Sequence, residues 1–280
     1  MNASRRWRRL VQARIEELER LQPGRGGLGA DFWNSRARRY AAAVAGTAAR
    51  DPFLAHVRRA TRRGTSLLDV GAGPGRFTLA LAPHVRHVVA VDPSEAMLRI
   101  LRREASRRGL ANIDAILGRW QDVEAGSADV AICSYVIPFV ADAPTFLRKL
   151  DAATRERSFV YMSGISADPN DHLWRHFHGR PRRPAPSYLD LAAVLEEIGS
   201  APEVTVVEAP TISRYRSLDA AVRSYRDSLL LPDTPEVRRE LRALLRAWLV
   251  RRGDLLAPPF STLPGAIVSW RPHGAAAGTR

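Results

Sequence analysis

Cysteine and lysine are almost missing from this chain. Of its 280 residues one is cysteine, Cys133, so no internal disulfide can form and no cysteine-based zinc set can be assembled. Lysine occurs once, at Lys149, leaving 42 of the 43 basic residues as arginine. That uniformity reads as a coding bias rather than a functional choice. No run reaches the 18 apolar residues of a membrane helix, and Met1 to Leu10 holds no apolar stretch that could begin a secretory leader. The sequence therefore predicts neither insertion nor export, and a cytoplasmic location. At 45% hydrophobic it can bury a full core as one domain with extensions. The net charge of +14 is uneven: residues 1–64 hold 15 arginines against 5 acids, and the rest hold 28 basic residues against 24 acids.

The most informative segment is Leu67-Leu68-Asp69-Val70-Gly71-Ala72-Gly73-Pro74-Gly75-Arg76-Phe77, an apolar strand running into a glycine-rich turn. A second strand, Val88 to Asp92, ends in a carboxylate 21 residues past Gly71, where a neighbouring parallel strand places a ribose-binding acid. A dinucleotide site would need a glycine at position 76, which is Arg76, and a turn rich in N–H donors, of which Pro74 removes one. The remaining pattern, Asp69-x-Gly71-x-Gly73-x-Gly75, resembles the first motif of class I S-adenosylmethionine-dependent methyltransferases. The likeness extends over roughly residues 31–210. It implies that Asp69, Gly71, Ala72, Gly73 and Gly75 hold the methionine part of S-adenosylmethionine, with Asp69 ordering its amino group. It also implies that Asp92 takes both ribose hydroxyls.

The following segments fit that resemblance. Ser94 reads as a helix N-cap with Met97 one turn in, and the family passes the stretch Pro93, Ser94, Met97 over the adenine. Gly118-Arg119-Trp120-Gln121 follows a third strand, Ile113–Leu117, where the family closes on the adenine edge. The usual acid there is replaced by Arg119, which only donates hydrogen bonds, so backbone carbonyls or Gln121 must take its part. Trp120 is expected to stack on the ring or wall it off. A fourth strand, Ala128–Cys133, puts Ser134 and Tyr135 at its carboxyl end, facing the methyl group to be transferred.

The implied fold is α/β: a Rossmann-like sheet of seven strands, the last antiparallel, with N-terminal helices and a helical cap insertion. Residues 1–64 form a helical extension or lid, with helices at 4–22, from Asp31 as cap, and from Asp51-Pro52. Trp7, Leu10, Val11, Ile15, Leu18 and Leu21 make an apolar stripe at helical spacing. Gln22–Gly27 is a flexible link. Trp33 and Tyr40 are lid candidates over the cofactor, or ordinary core aromatics. The cofactor-binding core spans 65–210, with Ser158–Met162 and Glu203–Val207 as strands five and six and a helix from Ser187 between them. The only candidate for the seventh strand is Ala266–Trp270, which leaves 211–265 as an insertion of two helices capping the catalytic edge. Residues 266–272 close the core, and 273–280 are a disordered tail.

The acceptor side is less defined. Asp171 to Arg180 holds His172, His176 and His178; His172 and His176 would share a helical face, but nothing completes a metal set. Tyr135, His172 and His178 are the candidates for acceptor contact or general base work. The segment after strand four is not the Asn/Asp-Pro-Pro-Tyr of amino methylation of bases, and Cys133 lacks the preceding proline of a carbon-5 pyrimidine nucleophile. A small or medium organic acceptor is favoured. The alternatives are RNA methylation using the arginine-rich N-terminus and a non-catalytic S-adenosylmethionine-binding module.

Overall fold

Leu67, Leu68, Val70, Val88, Val130 and Ile132 are all buried, as strands covered on both faces by helices require. The computed structural model describes residues 2–23, 29–164 and 169–273. The main sheet is built from β1 (Ser66–Val70), β2 (His87–Asp92), β3 (Ile113–Leu117), β4 (Ala128–Ser134), β5 (Thr154–Ser163), β6 (Glu203–Pro210) and β9 (Thr262–Trp270); β7 (Val250–Arg252) and β8 (Leu255–Ala257) form a separate hairpin. Its order is β3-β2-β1-β4-β5-β9-β6, with β9 antiparallel to both of its neighbours. This is the expected Rossmann-like sheet of seven strands. The chain order reverses between β1 and β4, which opens a crevice at the carboxyl ends of the parallel strands.

Among the described residues, ten α-helices accompany it: α1 (Ala3–Leu21), α2 (Ala30–Val44), α3 (Pro52–Arg59), α4 (Thr78–Leu81), α5 (Glu95–Arg107), α6 (Ala143–Ala152), α7 (Asp171–His178), α8 (Tyr188–Glu197), α9 (Leu218–Ser228) and α10 (Pro235–Trp248). Their starts follow cap chemistry: the side chains of Asp51, Ser94, Ser217 and Thr234 each accept a backbone N–H of the first turn, and Ser187 forms a capping box with Asp190. One expected cap is corrected. Gly29 is the N-cap of α2, and Asp31 lies inside its first turn, where a carboxylate still complements the helix dipole.

The insertion holds more than two helices. After α10 the chain makes the β7–β8 hairpin about Gly253, at φ +59°, and the last strand begins at Thr262, four residues before the expected start. α7 joins α9 and α10 in a separate apolar cluster around Trp174, Tyr225, Leu241 and Leu245. α1 ties the two parts together. Trp7 and Val11 enter the main core with Phe146, Leu191 and Trp270, while Leu18 enters the insertion's cluster. The indole N–H of Trp7 donates to the Val140 carbonyl at 2.8 Å. The tail from 274 and the link residues 24–28 lie outside the described residues.

Candidate active site

β1 delivers its apolar side chains to the core and ends at the glycine turn, which folds back on β2: the N–H groups of Gly71 and Ala72 donate to the Val91 carbonyl at 2.8 and 3.1 Å. Gly71 has φ +75°, and a Cβ there would lie 2.1 Å from Val136 Cγ2, so only glycine lets the segment after β4 approach. Gly73 differs. At φ +55°, its Cβ would meet nothing nearer than Tyr40 Cε1 at 4.0 Å, so the turn presents bare backbone to open space beneath that ring.

Asp92 closes β2 beside this turn. One carboxylate oxygen accepts the Gly73 N–H and the other the Ser94 N–H, both at 2.8 Å. Each oxygen keeps a second lone pair, so the acid is held rigid while still able to accept two hydroxyls. Burial pushes its carboxyl above the usual range despite the two backbone bonds. Asp69 sits deeper. It accepts the Thr78 hydroxyl at 2.5 Å, and burial pushes it up to about 7, aided by the nearby Asp92 charge. A buried carboxylate of this kind is suited to a cationic ligand group, which would repay its desolvation.

α2 roofs the crevice. Its Asn34 side-chain oxygen accepts the Ser94 hydroxyl at 2.7 Å and the Ala96 N–H at 3.1 Å, fixing the helix to the start of α5. Trp33 makes edge contacts with Tyr40 at 5.8 Å and with Phe139 at 6.4 Å, reaching the segment that follows β4. Trp33 and Tyr40 are half-buried. Asn34 gave no signal in the sequence, because a lone polar residue on a helix carries no mark of its distant partner.

Several other expected residues are engaged within the protein itself. Trp120 is not an adenine wall: it is 4% exposed, donates its indole N–H to the Phe146 carbonyl, and carries Lys149 over its ring. The indole fills the gap between α6 and the sheet, which its area rewards more than a place in an open crevice would. Arg119 is exposed and faces Asp122 at 3.7 Å, and Gln121 is half-buried with its carbonyl accepting from Lys149. The histidines of α7 serve the insertion: His172 packs on Trp248, His176 pairs with Glu240, and His178 bonds the Leu229 carbonyl while stacking on Trp174. Among the described residues no group of three or more His, Cys, Asp or Glu side chains could hold a metal. Cys133 is fully buried and its thiol is pushed far up by that burial and by Asp69, so it is no nucleophile. Ser134 and Tyr135 lie half-buried at the end of β4, and Met97 is buried at the start of α5.

Residues 67–157, from the glycine turn through β5, match the family model described as a methyltransferase domain. The chain carries a class I methyltransferase domain. S-adenosylmethionine is the cofactor of that domain, and the bare turn at Gly73, the braced Asp92 and the buried Asp69 fit its cationic and ribose groups. Among curated proteins, the ubiquinone biosynthesis O-methyltransferase of Acinetobacter baylyi is 25% identical over 114 residues, 40% of this chain and 48% of the relative. A probable S-adenosylmethionine-dependent methyltransferase of Saccharomyces cerevisiae is 42% identical over 45 residues, 16% of each. Among solved structures, the YcgJ protein of Bacillus subtilis shares the fold of this methyltransferase domain at a TM-score of 0.55 and 17% identity, covering 79% of this chain and 98% of that one. The chain spans about half the length of the ubiquinone-pathway relative it matches, with the aligned region amounting to 48% of it.

Proposed function

We propose that the chain transfers a methyl group from S-adenosylmethionine to a small or medium organic acceptor. The observation that carries this reading is the doubly braced Asp92 beside the bare backbone of Gly73. In this reading Asp92 binds the ribose hydroxyls, and Asp69 with the turn Gly71, Ala72, Gly73 and Gly75 holds the methionine end. Pro93, Ser94 and Met97 flank the adenine, whose edge meets Gln121 and the backbone around Arg119. Trp33 and Tyr40 exclude water from above. Ser134 and Tyr135 face the acceptor.

The bound cofactor supplies a methyl group already activated by its sulfonium sulfur. What the protein adds is placement, since holding two reactants in line and in contact can supply most of the rate. The ubiquinone-pathway relatives, named as O-methyltransferases, support a small-molecule acceptor. The RNA alternative loses ground on the N-terminus, where Arg6 pairs with Asp190 and α1 packs on the core through Trp7, Val11 and Ile15. Titration calorimetry with S-adenosylhomocysteine, S-adenosylmethionine, NAD and NADP tests the reading: the first two should bind and the last two should not. Preferential NAD binding overturns it, and cofactor binding without turnover on any acceptor would favour the non-catalytic module.

A further inference from the structure

α2 presents different residues to each of its neighbours. At about 100° per residue, Phe32 and Arg39 fall on one stripe of the helix, Trp33 and Tyr40 on the next, and Asn34 on the flank beyond them. Asn34 ties its flank to α5, and the Tyr40 ring stands over the glycine turn. The stripe of Phe32 and Arg39 faces the other way, toward α9 of the insertion.

Between α2 and α9 lies a groove of about 410 Å³, within the size range of small-molecule sites. Phe32, Ser35, Arg36 and Arg39 line it from α2, and Arg226 and Asp227 from α9. A row of rings joins it to the crevice: Phe32 meets Trp33 at 5.2 Å, and Trp33 meets Tyr40 at 5.8 Å and Phe139 at 6.4 Å. The groove therefore runs along the flank of the roof opposite α5, the flank that reaches the segment after β4.

Its three guanidiniums are held in place by the fold. Arg36 stacks on the Phe32 ring at 3.8 Å and donates to the Phe32 carbonyl and the Ser35 hydroxyl, each at 3.2 Å. Arg39 donates one nitrogen to Asp227 at 2.6 Å, and Arg226 reaches the other Asp227 oxygen at 3.0 Å while also pairing with Asp233. Burial opposes the charge of Asp227, but the two arginines outweigh it and hold the carboxyl below its usual range. The groove thus already fixes one carboxylate between guanidiniums from two helices. Arg39 is 44% exposed and keeps two further nitrogens for a ligand.

An arginine on a solvated face loses side-chain freedom when it binds, and these have lost it on folding. A planar fork held in this way matches the oxygens of a carboxylate or phosphate and offers nothing to a cation. The other acid of the lining is Asp31, in the first turn of α2, so three arginines against two aspartates leave one net positive charge.

Resting on the methyl-transfer reading above, we propose that the α2–α9 groove anchors an anionic group of the methyl acceptor, a carboxylate or a phosphate. Arg36 and Arg39 bind that group, and Asp227 positions Arg39. The charged end of the acceptor then lies outside the cofactor crevice, so cofactor and anion bind together.

The test is calorimetry on the full chain saturated with S-adenosylhomocysteine, using probes that share a three-carbon skeleton: glycerate, glycerol 3-phosphate, glycerol and 3-aminopropane-1,2-diol. The two anions should bind and the other two should not, and the tighter anion tells carboxylate from phosphate. Arg39→Ala should weaken both anions about tenfold or more, the worth of a charged hydrogen bond, and leave S-adenosylhomocysteine affinity unchanged. Ser35→Glu puts a carboxylate into the groove from an exposed position and should weaken the anions as much, so the outcome does not hang on one variant folding. Asp227→Asn releases Arg39 from an ion pair and should tighten both anions about two- to fivefold, which a merely structural Asp227 would not do. No anion binding, or glycerol binding as well as the anions, overturns this proposal and leaves the methyltransferase reading intact. Anion binding that S-adenosylhomocysteine abolishes also overturns it, because the anion then occupies the cofactor crevice. If the parent chain binds no S-adenosylhomocysteine the methyltransferase reading falls, and the same probes on the free chain decide for or against the groove.

Discussion

The side-chain oxygen of Asn34 takes the Ser94 hydroxyl at 2.7 Å and the Ala96 N–H at 3.1 Å, joining α2 to the segment that follows Asp92. Ser94 is fully buried, and its own N–H bonds Asp92, so one short path links α2 to the Asp92 carboxylate. Asn34→Ala should loosen the roof and weaken S-adenosylhomocysteine binding roughly three- to tenfold, the worth of one or two ordinary hydrogen bonds. Asn34→Asp keeps the acceptor at the N-terminus of α5 and should bind nearly as the parent does. Calorimetry on the three proteins checks this, and equal affinities throughout would show that α2 does not act on the site.

Asp92→Asn should weaken cofactor binding about tenfold or more, since a charged hydrogen bond is worth roughly 1.5–3 kcal/mol. Asparagine keeps one oxygen for Gly73 or Ser94 but cannot replace both backbone bonds and both ribose bonds. Thermal unfolding without ligand should shift by only a few degrees. A collapse in stability with affinity unchanged in the surviving protein would make Asp92 a structural residue.

Asp69 predicts a pH dependence of defined sign. Its carboxyl lies near 7 in the folded chain, against an ordinary value of 3.8, because burial opposes the charge. Between those values the folded state holds a proton that the unfolded chain has released, so ligand-free stability falls as pH rises from about 4 to about 7. A cationic ammonium binds the ionised form better, so S-adenosylhomocysteine affinity rises across the upper part of that window and levels off above it. Unfolding and binding measured from pH 5 to 8.5 should show opposite slopes, and Asp69→Asn should flatten both.

Trp7 is fully buried, with its N–H on the Val140 carbonyl. Trp7→Ala should cost about 3–5 kcal/mol in denaturant unfolding, the range for a large aromatic removed from a core. A loss below about 1 kcal/mol would mean that α1 is a detachable arm. Filter binding of total RNA at several salt concentrations completes the test. An RNA-binding arm would give a log–log slope near −0.7 per single-strand phosphate contacted, and the slope expected here is close to zero.

The cofactor half of the site was legible because its signals are local. Gly71, Gly73 and Gly75 follow an apolar strand, Asp92 ends the next one, and Ser94 caps the helix after it, with 24 residues from Gly71 to Ser94. Contacts between distant segments left no such mark. Asp51, Arg76, Tyr135 and Tyr161 come from four separate segments, and in the sequence Tyr161 is simply one aromatic in an apolar strand. Trp120 was misplaced for the same reason, since an aromatic after β3 reads alike whether it faces a ligand or α6. The β7–β8 hairpin has strands of three residues, too short for alternation to show. Gly253-Asp254 was its one usable mark, a turn pair with φ +59° at the glycine.

The place of β9 sets an order of assembly. Asp69, the glycine turn and Asp92 all lie before position 164, on or directly after β1 and β2, which pair with each other. β5 and β6, by contrast, have no contact in the sheet until residues 262–270 slide between them. During synthesis the ligand-binding half can therefore form while the growing chain still carries two bare strand edges, and more than fifty residues must follow β6 before they are covered. Unpaired edges are templates for other chains. A protein cut short anywhere in the insertion should thus keep a cofactor pocket and lose solubility, so loss of the last strand would show up in aggregation before it showed up in binding.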